Sequence, residues 1–273
     1  MKLSFLPVAL FPRFLRGEMG IPSWASLGKD CGLDGIDLST HFFTNHSPAQ
    51  LLPIRKAVEE SGIGIAMVAA YPDFSNPCAL QRERELAYLA RDIALGSELG
   101  ARYLRVLAGQ AHPGLRRAAA IAGVIEMLKR AAEAASRFGL TLVYENHSKP
   151  SAWQYTDFSH PTDIFLEIAE GIADTGIRIN FDTANVLAYG GDTLDVLKKV
   201  LGRVETIHVA DTSTQGSLTP CRVGEGLAPL TAIFGMLKAR GFEGWLCIED
   251  CVSTTREGII ETAARIRSLW DGA

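Results

Sequence analysis

Short apolar runs alternate with longer amphipathic ones along the whole chain. Eight of the short runs read as strands: LSFL (3–6), GIDL (35–38), GIAMVAA (64–70), YLRVLAG (103–109), LTLVYEN (140–146), IRINFD (177–182), VETIHVA (204–210) and GWLCIED (244–250). The stretches between them place apolar residues at i, i+3, i+4 and i+7, most clearly over 80–99 and 115–138, and so read as helices packed by one face. Helix starts are marked as well. Ser47-Pro48-Ala49-Gln50 combines a capping box with Pro at the first helical position, Asn76-Pro77 repeats the cap-then-Pro signal, and Thr254-Thr255-Arg256-Glu257 is a further capping box. Gly62, Gly100, Gly139, Gly176 and Gly241 stand at or near helix ends, and the first four of these precede a strand within a few residues.

Eight strand–helix units, recurring every roughly 25–40 residues, imply parallel strands joined by helical crossovers. The fold class is therefore α/β. A single (β/α)8 TIM barrel, one domain over residues 1–273, is the economical architecture. A doubly wound open sheet is the alternative, but the Gly-rich phosphate turn that usually follows its first strand is missing. No linker, low-complexity stretch or second domain interrupts the alternation.

Composition narrows the class of partner. The chain has 273 residues, 47 % of them hydrophobic and 21 % charged, which suits a soluble protein with a large core. Its net charge of −4 offers no basic field for nucleic acid or anionic lipid, so neither is expected as a partner. The opening MKLSFLPVALF has the Lys-then-apolar look of a secretory leader. Pro7 breaks it, Pro12, Arg13 and Arg16 follow, and no small-residue cleavage site appears, so it reads as the first strand. No run approaches the roughly 20 apolar residues of a membrane-spanning helix. Five cysteines (Cys31, Cys78, Cys221, Cys247 and Cys251) match no zinc or disulfide spacing and read as reduced thiols of a cytoplasmic protein.

Barrel chemistry sits where strands end at the C-terminal face. The fifth strand ends in Glu145, Asn146 and His147, the sixth in Asp182, Thr183, Ala184 and Asn185. The seventh carries His208, with Asp211 three residues on, and the eighth ends in Glu249-Asp250. Four consecutive strands thus present Glu145, Asp182, His208 and Glu249. Each alone is an ordinary strand-end residue, a helix cap or a hydrogen-bonded core histidine. Together they form an O/N ligand set for one divalent ion (Mn²⁺, Mg²⁺, Co²⁺ or Zn²⁺), without the thiolates of a structural zinc site. Around them stand residues with two readings each. Arg105 on the fourth strand binds a substrate carboxylate or hydroxyl, or points outward. Arg222, before Gly224-Glu225-Gly226, reaches over the site or lies on a surface loop. His147 supports a ligand or donates to substrate; Asn185 hydrogen-bonds substrate or caps the next helix. Asp211 is a further candidate substrate contact or a plain cap, as is Asp250 for its own loop. Trp153, Tyr71 and Phe42 offer an apolar wall or belong to the core.

The chain resembles the xylose isomerase-like TIM-barrel superfamily, in its sugar phosphate isomerase/epimerase branch. The resemblance rests on YENH (144–147), NFDTANVL (180–187), IHVAD (207–211), RVGEGLAPL (222–230) and GFEGWLCIED (241–250), in that order and spacing. It implies that Glu145, Asp182, His208 and Glu249 bind one divalent ion. It also implies that Glu145 and Glu249 serve as the acid/base pair on opposite faces of the substrate. Two positions depart from the pattern: Asn185 stands where many members carry a His, and Ala210 where a Lys is common, which bears on substrate more than on metal.

Such a site would stabilise an enediolate of a small keto-sugar, polyol or hydroxy-acid by metal coordination, with a carboxylate taking the α-proton. Returning the proton to the opposite face is epimerisation, and returning it to the neighbouring carbon is isomerisation. Loss of a β-hydroxyl would be dehydration, of a keto-inositol, a keto-sugar or a dehydroshikimate-like acid. An apurinic-endonuclease-like activity fits poorly: no His stands near Ala70 and no Asp-x-His follows His208. A non-catalytic metal- or sugar-binding barrel is the remaining reading. A homo-oligomer is compatible with the resemblance.

Overall fold

The computed structural model describes residues 1–150 and 152–273. All eight expected strands form: β1 (Lys2–Leu6), β2 (Gly35–Ser39), β3 (Gly64–Ala69), β4 (Tyr103–Val106), β5 (Thr141–Glu145), β6 (Arg178–Asp182), β7 (Val204–Val209) and β8 (Trp245–Glu249). They are parallel and run in the order β1-β8-β7-β6-β5-β4-β3-β2. The remaining seam is closed by one backbone and two side-chain hydrogen bonds. Asp34 N donates to Leu3 O at 2.9 Å, Leu3 N donates to Asp34 Oδ2 at 2.9 Å, and Ser4 Oγ donates to Asp37 Oδ2 at 2.7 Å. The sheet is thereby a (β/α)8 barrel, not the open doubly wound alternative.

The two long helices lie where the periodicity puts them, at Ala79–Glu98 and Arg117–Ser136. Their caps differ in detail. Asn76 Oδ1 accepts from Cys78 N, so Asn76-Pro77 forms a turn ahead of the helix and not its first residues. Ser47 holds its helix start through its carbonyl, which accepts from Gln50 N, and makes no side-chain cap. At the last helix Thr255, not Thr254, is the N-cap, its hydroxyl accepting from Gly258 N at 3.1 Å.

The large core lies between strands and helices; Tyr144 of β5, for example, stacks on Phe165 of the helix Thr162–Gly171 at 5.4 Å. A smaller one, Met67, Tyr103, Val143 and Cys247, fills the inside of the barrel with Trp245 against it. Gly35 is required there, since a Cβ at that position would lie 2.7 Å from the Trp245 ring. Plugging the lower barrel with apolar side chains leaves the polar strand ends as the floor of the upper one.

Candidate active site

Strand register brings the polar ends together. Asp182 pairs with His208 across β6 and β7, and Val209 pairs with Ile248, so Glu249 ends β8 one residue beyond. Glu145 ends β5 beside Asn180 of β6. One ligand-type atom from each of Glu145, Asp182, His208 and Glu249 lies within 4.8 Å of the others. His208 is the hub: its Nδ1 is 3.0 Å from Glu145 Oε1 and 2.7 Å from Glu249 Oε2. Glu145 and His208 are fully buried, whereas the Glu249 side chain keeps 20 % of its exposure and faces the cavity above.

Neighbouring loops hold these groups in place. Asp182 Oδ1 accepts from Ala184 N at 2.8 Å and Asn185 N at 2.7 Å, the turn that starts the short helix Asn185–Tyr189. Asn146 clamps the Asp182 backbone from both sides, accepting from its N–H at 2.8 Å and donating to its carbonyl at 2.9 Å. Asn185 Nδ2 in turn donates to Asn146 O at 3.1 Å. One Asn185 N–H is thus taken by the backbone, and the residue still lines the cavity.

Electrostatics shows what the cluster lacks. Burial pushes the Glu145 carboxyl up, but His208 and Arg105 outweigh it and hold the pKa at about 2. Burial likewise works against the His208 imidazolium, and the two glutamates overcome it, so its pKa is well above the usual value. Asp182 goes the other way. Burial, then the negative charges of Glu249 and Glu145, raises it well above the usual carboxylate range. Three carboxylates share one imidazole, and His208 Nε2 has no partner. A donor set of hard oxygens and one imidazole, short of positive charge, fits a divalent cation.

The other sequence candidates fall into two groups. Arg105 and His147 turn towards the site. Arg105 is buried, its Nε 3.0 Å from Glu145 Oε2, an ion contact whose N–H is not aimed at the oxygen. Burial takes His147 down to about 4, so it is neutral near pH 7, with Nδ1 unpaired beside the cavity. Asp211 and Arg222 are occupied elsewhere. Asp211 touches the cavity, but its carboxylate accepts from four backbone N–H groups, those of Thr212, Gly224, Gly226 and Ala228, each at 2.9 Å. It pins the loop that carries Arg222, and a Cβ on Gly226 would collide with it. Arg222 pairs with Glu261 at 2.8 Å, on the outer helix Arg256–Asp271. Asp250 closes its own loop, accepting from Val252 N and Ser253 N.

The cavity measures ≈ 240 Å³. Asp182, Glu249, Arg105 and His147 make its polar end, and Leu6, Phe11 and Leu218 contribute apolar surface. Tyr71 lines it with its ring 4.5 Å from the Arg105 guanidinium. Phe42 stands behind that surface, stacked on Phe14 at 4.1 Å and edge-on to Phe11 at 4.8 Å. Trp153 does not line the cavity. Residues that the strand-end reading missed include His41, stacked on Tyr71 at 4.4 Å, along with Lys149, Cys221 and Cys251. Lys149 and Cys251 each follow a strand end by a few residues, so their position carried a signal. His41 likewise stands two residues past β2, whereas Cys221 arrives through loop folding and carried no signal.

A closed parallel barrel with a carboxylate–imidazole cluster at its C-terminal strand ends defines a TIM barrel with a metal-competent pocket. Comparison places it further: the chain belongs to the xylose isomerase-like TIM barrel family, whose model matches residues 26–269. An Escherichia coli (strain K12) protein provisionally named L-ribulose-5-phosphate 3-epimerase SgbU is 24 % identical over 93 % of this chain and 92 % of its own length. An inosose dehydratase of Halalkalibacterium halodurans is 21 % identical over 54 % of this chain and 51 % of its own. Among solved structures, the IOLI protein with a bound zinc atom superposes with a TM-score of 0.80 at 18 % identity, covering 99 % of this chain and 98 % of that one. Among the described residues, no helix is long and apolar enough to cross a membrane.

Proposed function

We propose that the protein is a divalent-metal-dependent isomerase or epimerase of a small keto-sugar, polyol or hydroxy-acid. The observation that carries this reading is the convergence of Glu145, Asp182, His208 and Glu249 within 4.8 Å. These four residues would hold one ion, Mn²⁺, Mg²⁺, Co²⁺ or Zn²⁺. When bound, the ion supplies a Lewis acid that polarises a carbonyl and neutralises charge developing on its oxygen. The zinc bound by the structural relative and the epimerase name of the sequence relative support both halves of the proposal.

The chain's own residues do the rest. Glu249 faces the cavity and meets the substrate C–H first. Its carboxyl is pushed up by burial but brought below its usual value by His208, so it is ionised and competent as a base. Glu145 lies on the deeper side; His208 and Arg105 keep it ionised in the resting site, so it takes up one proton from solvent with the substrate and returns that proton to the other face, whereas return to the neighbouring carbon uses the proton that Glu249 has taken. Neutral His147 donates to or accepts from a substrate hydroxyl, and the apolar surface excludes water. A second reading, loss of a β-hydroxyl as water, is supported by the dehydratase relative. The five free cysteines support a reducing, cytoplasmic setting, and the continuous barrel supports action as one domain.

Elemental analysis of protein purified without chelator or affinity metal tests the proposal. About one divalent ion per chain is expected, lost in Asp182→Ala. Glu249→Gln should abolish turnover on a ketose panel while the fold persists. Absence of metal even after Mn²⁺ is supplied, or full activity in Glu249→Gln, would overturn it. Solvent deuterium entering recovered substrate, set against release of water, separates epimerase from dehydratase.

A further inference from the structure

Three polar atoms inside the barrel are buried without a hydrogen-bond partner: His208 Nε2, Asn180 Nδ2 and Asp37 Oδ1. They belong to one neighbourhood. Asn180 and Thr206 lie two residues before Asp182 and His208 on the same inward faces of β6 and β7. Thr206 Oγ1 donates to Asn180 Oδ1 at 2.7 Å, which leaves the amide NH₂ free. Ladder partners run Asp182, His208, Cys247, Ser4 across β6, β7, β8 and β1. Ser4 Oγ then reaches Asp37 Oδ2 on β2 at 2.7 Å. Asp37 is 1 % exposed; the Cys247 thiol and the Met67 backbone N–H also lie against its carboxyl, and the charge of His208 acts on it.

An unpaired buried carboxylate oxygen and two unpaired buried donors are each costly alone. One buried water would satisfy all three, accepting from His208 Nε2–H and Asn180 Nδ2–H and donating to Asp37 Oδ1. Three partners is the usual number for an internal water. We propose that Asp37 is a positioning residue for His208, which through this water holds the proton on Nε2 and keeps Nδ1 directed at the divalent ion. The proposal rests on the metal-site reading above. A carboxylate behind the far nitrogen fixes the ring of a ligating histidine and makes its near nitrogen more basic. Asp37 does this from below the floor of the site, without touching substrate.

The test compares wild type with Asp37→Asn, which keeps the shape and removes the charge. Three quantities are read: the Mn²⁺ dissociation constant by competition with a chelating dye, the Tm in excess EDTA, and the ¹⁵N shift of His208 Nε2. The Mn²⁺ constant is expected to rise about 10–100-fold, with the EDTA Tm not lowered and the Nε2 resonance displaced. A purely structural role would instead lower the EDTA Tm and leave Mn²⁺ affinity unchanged. Mn²⁺ affinity within about twofold of wild type, together with an unmoved Nε2 resonance, would overturn the proposal. If wild type binds no Mn²⁺, the metal reading fails, and the Nε2 shift still decides whether Asp37 is coupled to His208. Should Asp37→Asn fail to fold, Asn180→Ser removes one donor to the same water and is read by the same measurements.

Discussion

Arg105 and Glu145 form a buried ion pair across β4 and β5, with Nε 3.0 Å from Oε2 and side-chain exposures of 2 % and 0 %. The guanidinium also donates from Nη1 to the Ala70 carbonyl at 3.2 Å and lies 4.5 Å from the Tyr71 ring centroid. Removing Arg105 leaves the buried Glu145 charge to His208 alone, which Glu249 already shares. Arg105→Leu is therefore expected to lower unfolding free energy by about 3–5 kcal/mol and to raise the Glu145 pKa. Urea denaturation beside kcat/KM checks both; a variant as stable and as active as wild type would show the pair to be dispensable. Arg105→Lys keeps the charge but loses the planar stack, and should fall between.

Asp211 ties down its loop through four backbone N–H groups. Asp211→Ala frees all four, and water reaches some of them, so a cost of about 2–4 kcal/mol is expected. Limited proteolysis should then cut faster within residues 212–228, while metal stoichiometry stays at the wild-type value. Loss of metal in this variant would give Asp211 a direct part in the cluster instead.

Asp157 carries a pH dependence. Its Oδ1 accepts from Ser159 N at 2.7 Å and Ser159 Oγ at 2.8 Å, while burial pushes the carboxyl up to about 8. An unfolded Asp ionises near 3.9, so between that pH and about 8 folding takes up a proton. The native state binds more protons there, and stability falls as pH rises, by up to about 1.4 kcal/mol per pH unit. Asp157→Asn cannot ionise. Its stability relative to wild type should improve by about 2–4 kcal/mol from pH 5 to pH 8 in urea titrations. A gap that does not change with pH would mean that the carboxyl is already ionised in the fold at pH 5.

Much of the site was legible because strand ends are local features of the chain. Glu145, Asp182, His208 and Glu249 each follow a short apolar run, and parallel register then sets them side by side. Asn185 and Asp211 read equally well as substrate contacts, since a side chain's type says nothing about which neighbour consumes it. Asn185 gives one amide hydrogen to a backbone carbonyl and still lines the cavity, and Asp211 gives both oxygens to its own loop. Arg222 failed to reach the cavity because Glu261, 39 residues away in sequence, offers it a partner on the outer face.

The sequence by itself determined the order and type of the elements, and with them the class of fold. Apolar periodicity is set by near neighbours, and eight strand–helix units leave few ways to bury their faces. It also determined which four side chains end the last four strands. Tertiary structure alone decided the depth and direction of everything else. Closure of β1 onto β2 through Asp34 and Asp37, and the descent of Phe11, His41 and Cys221 onto one cavity, depend on barrel curvature and loop paths. So does the meeting of Asp37 with Ser4. These are contacts between residues far apart in the chain, and no local pattern encodes their distances.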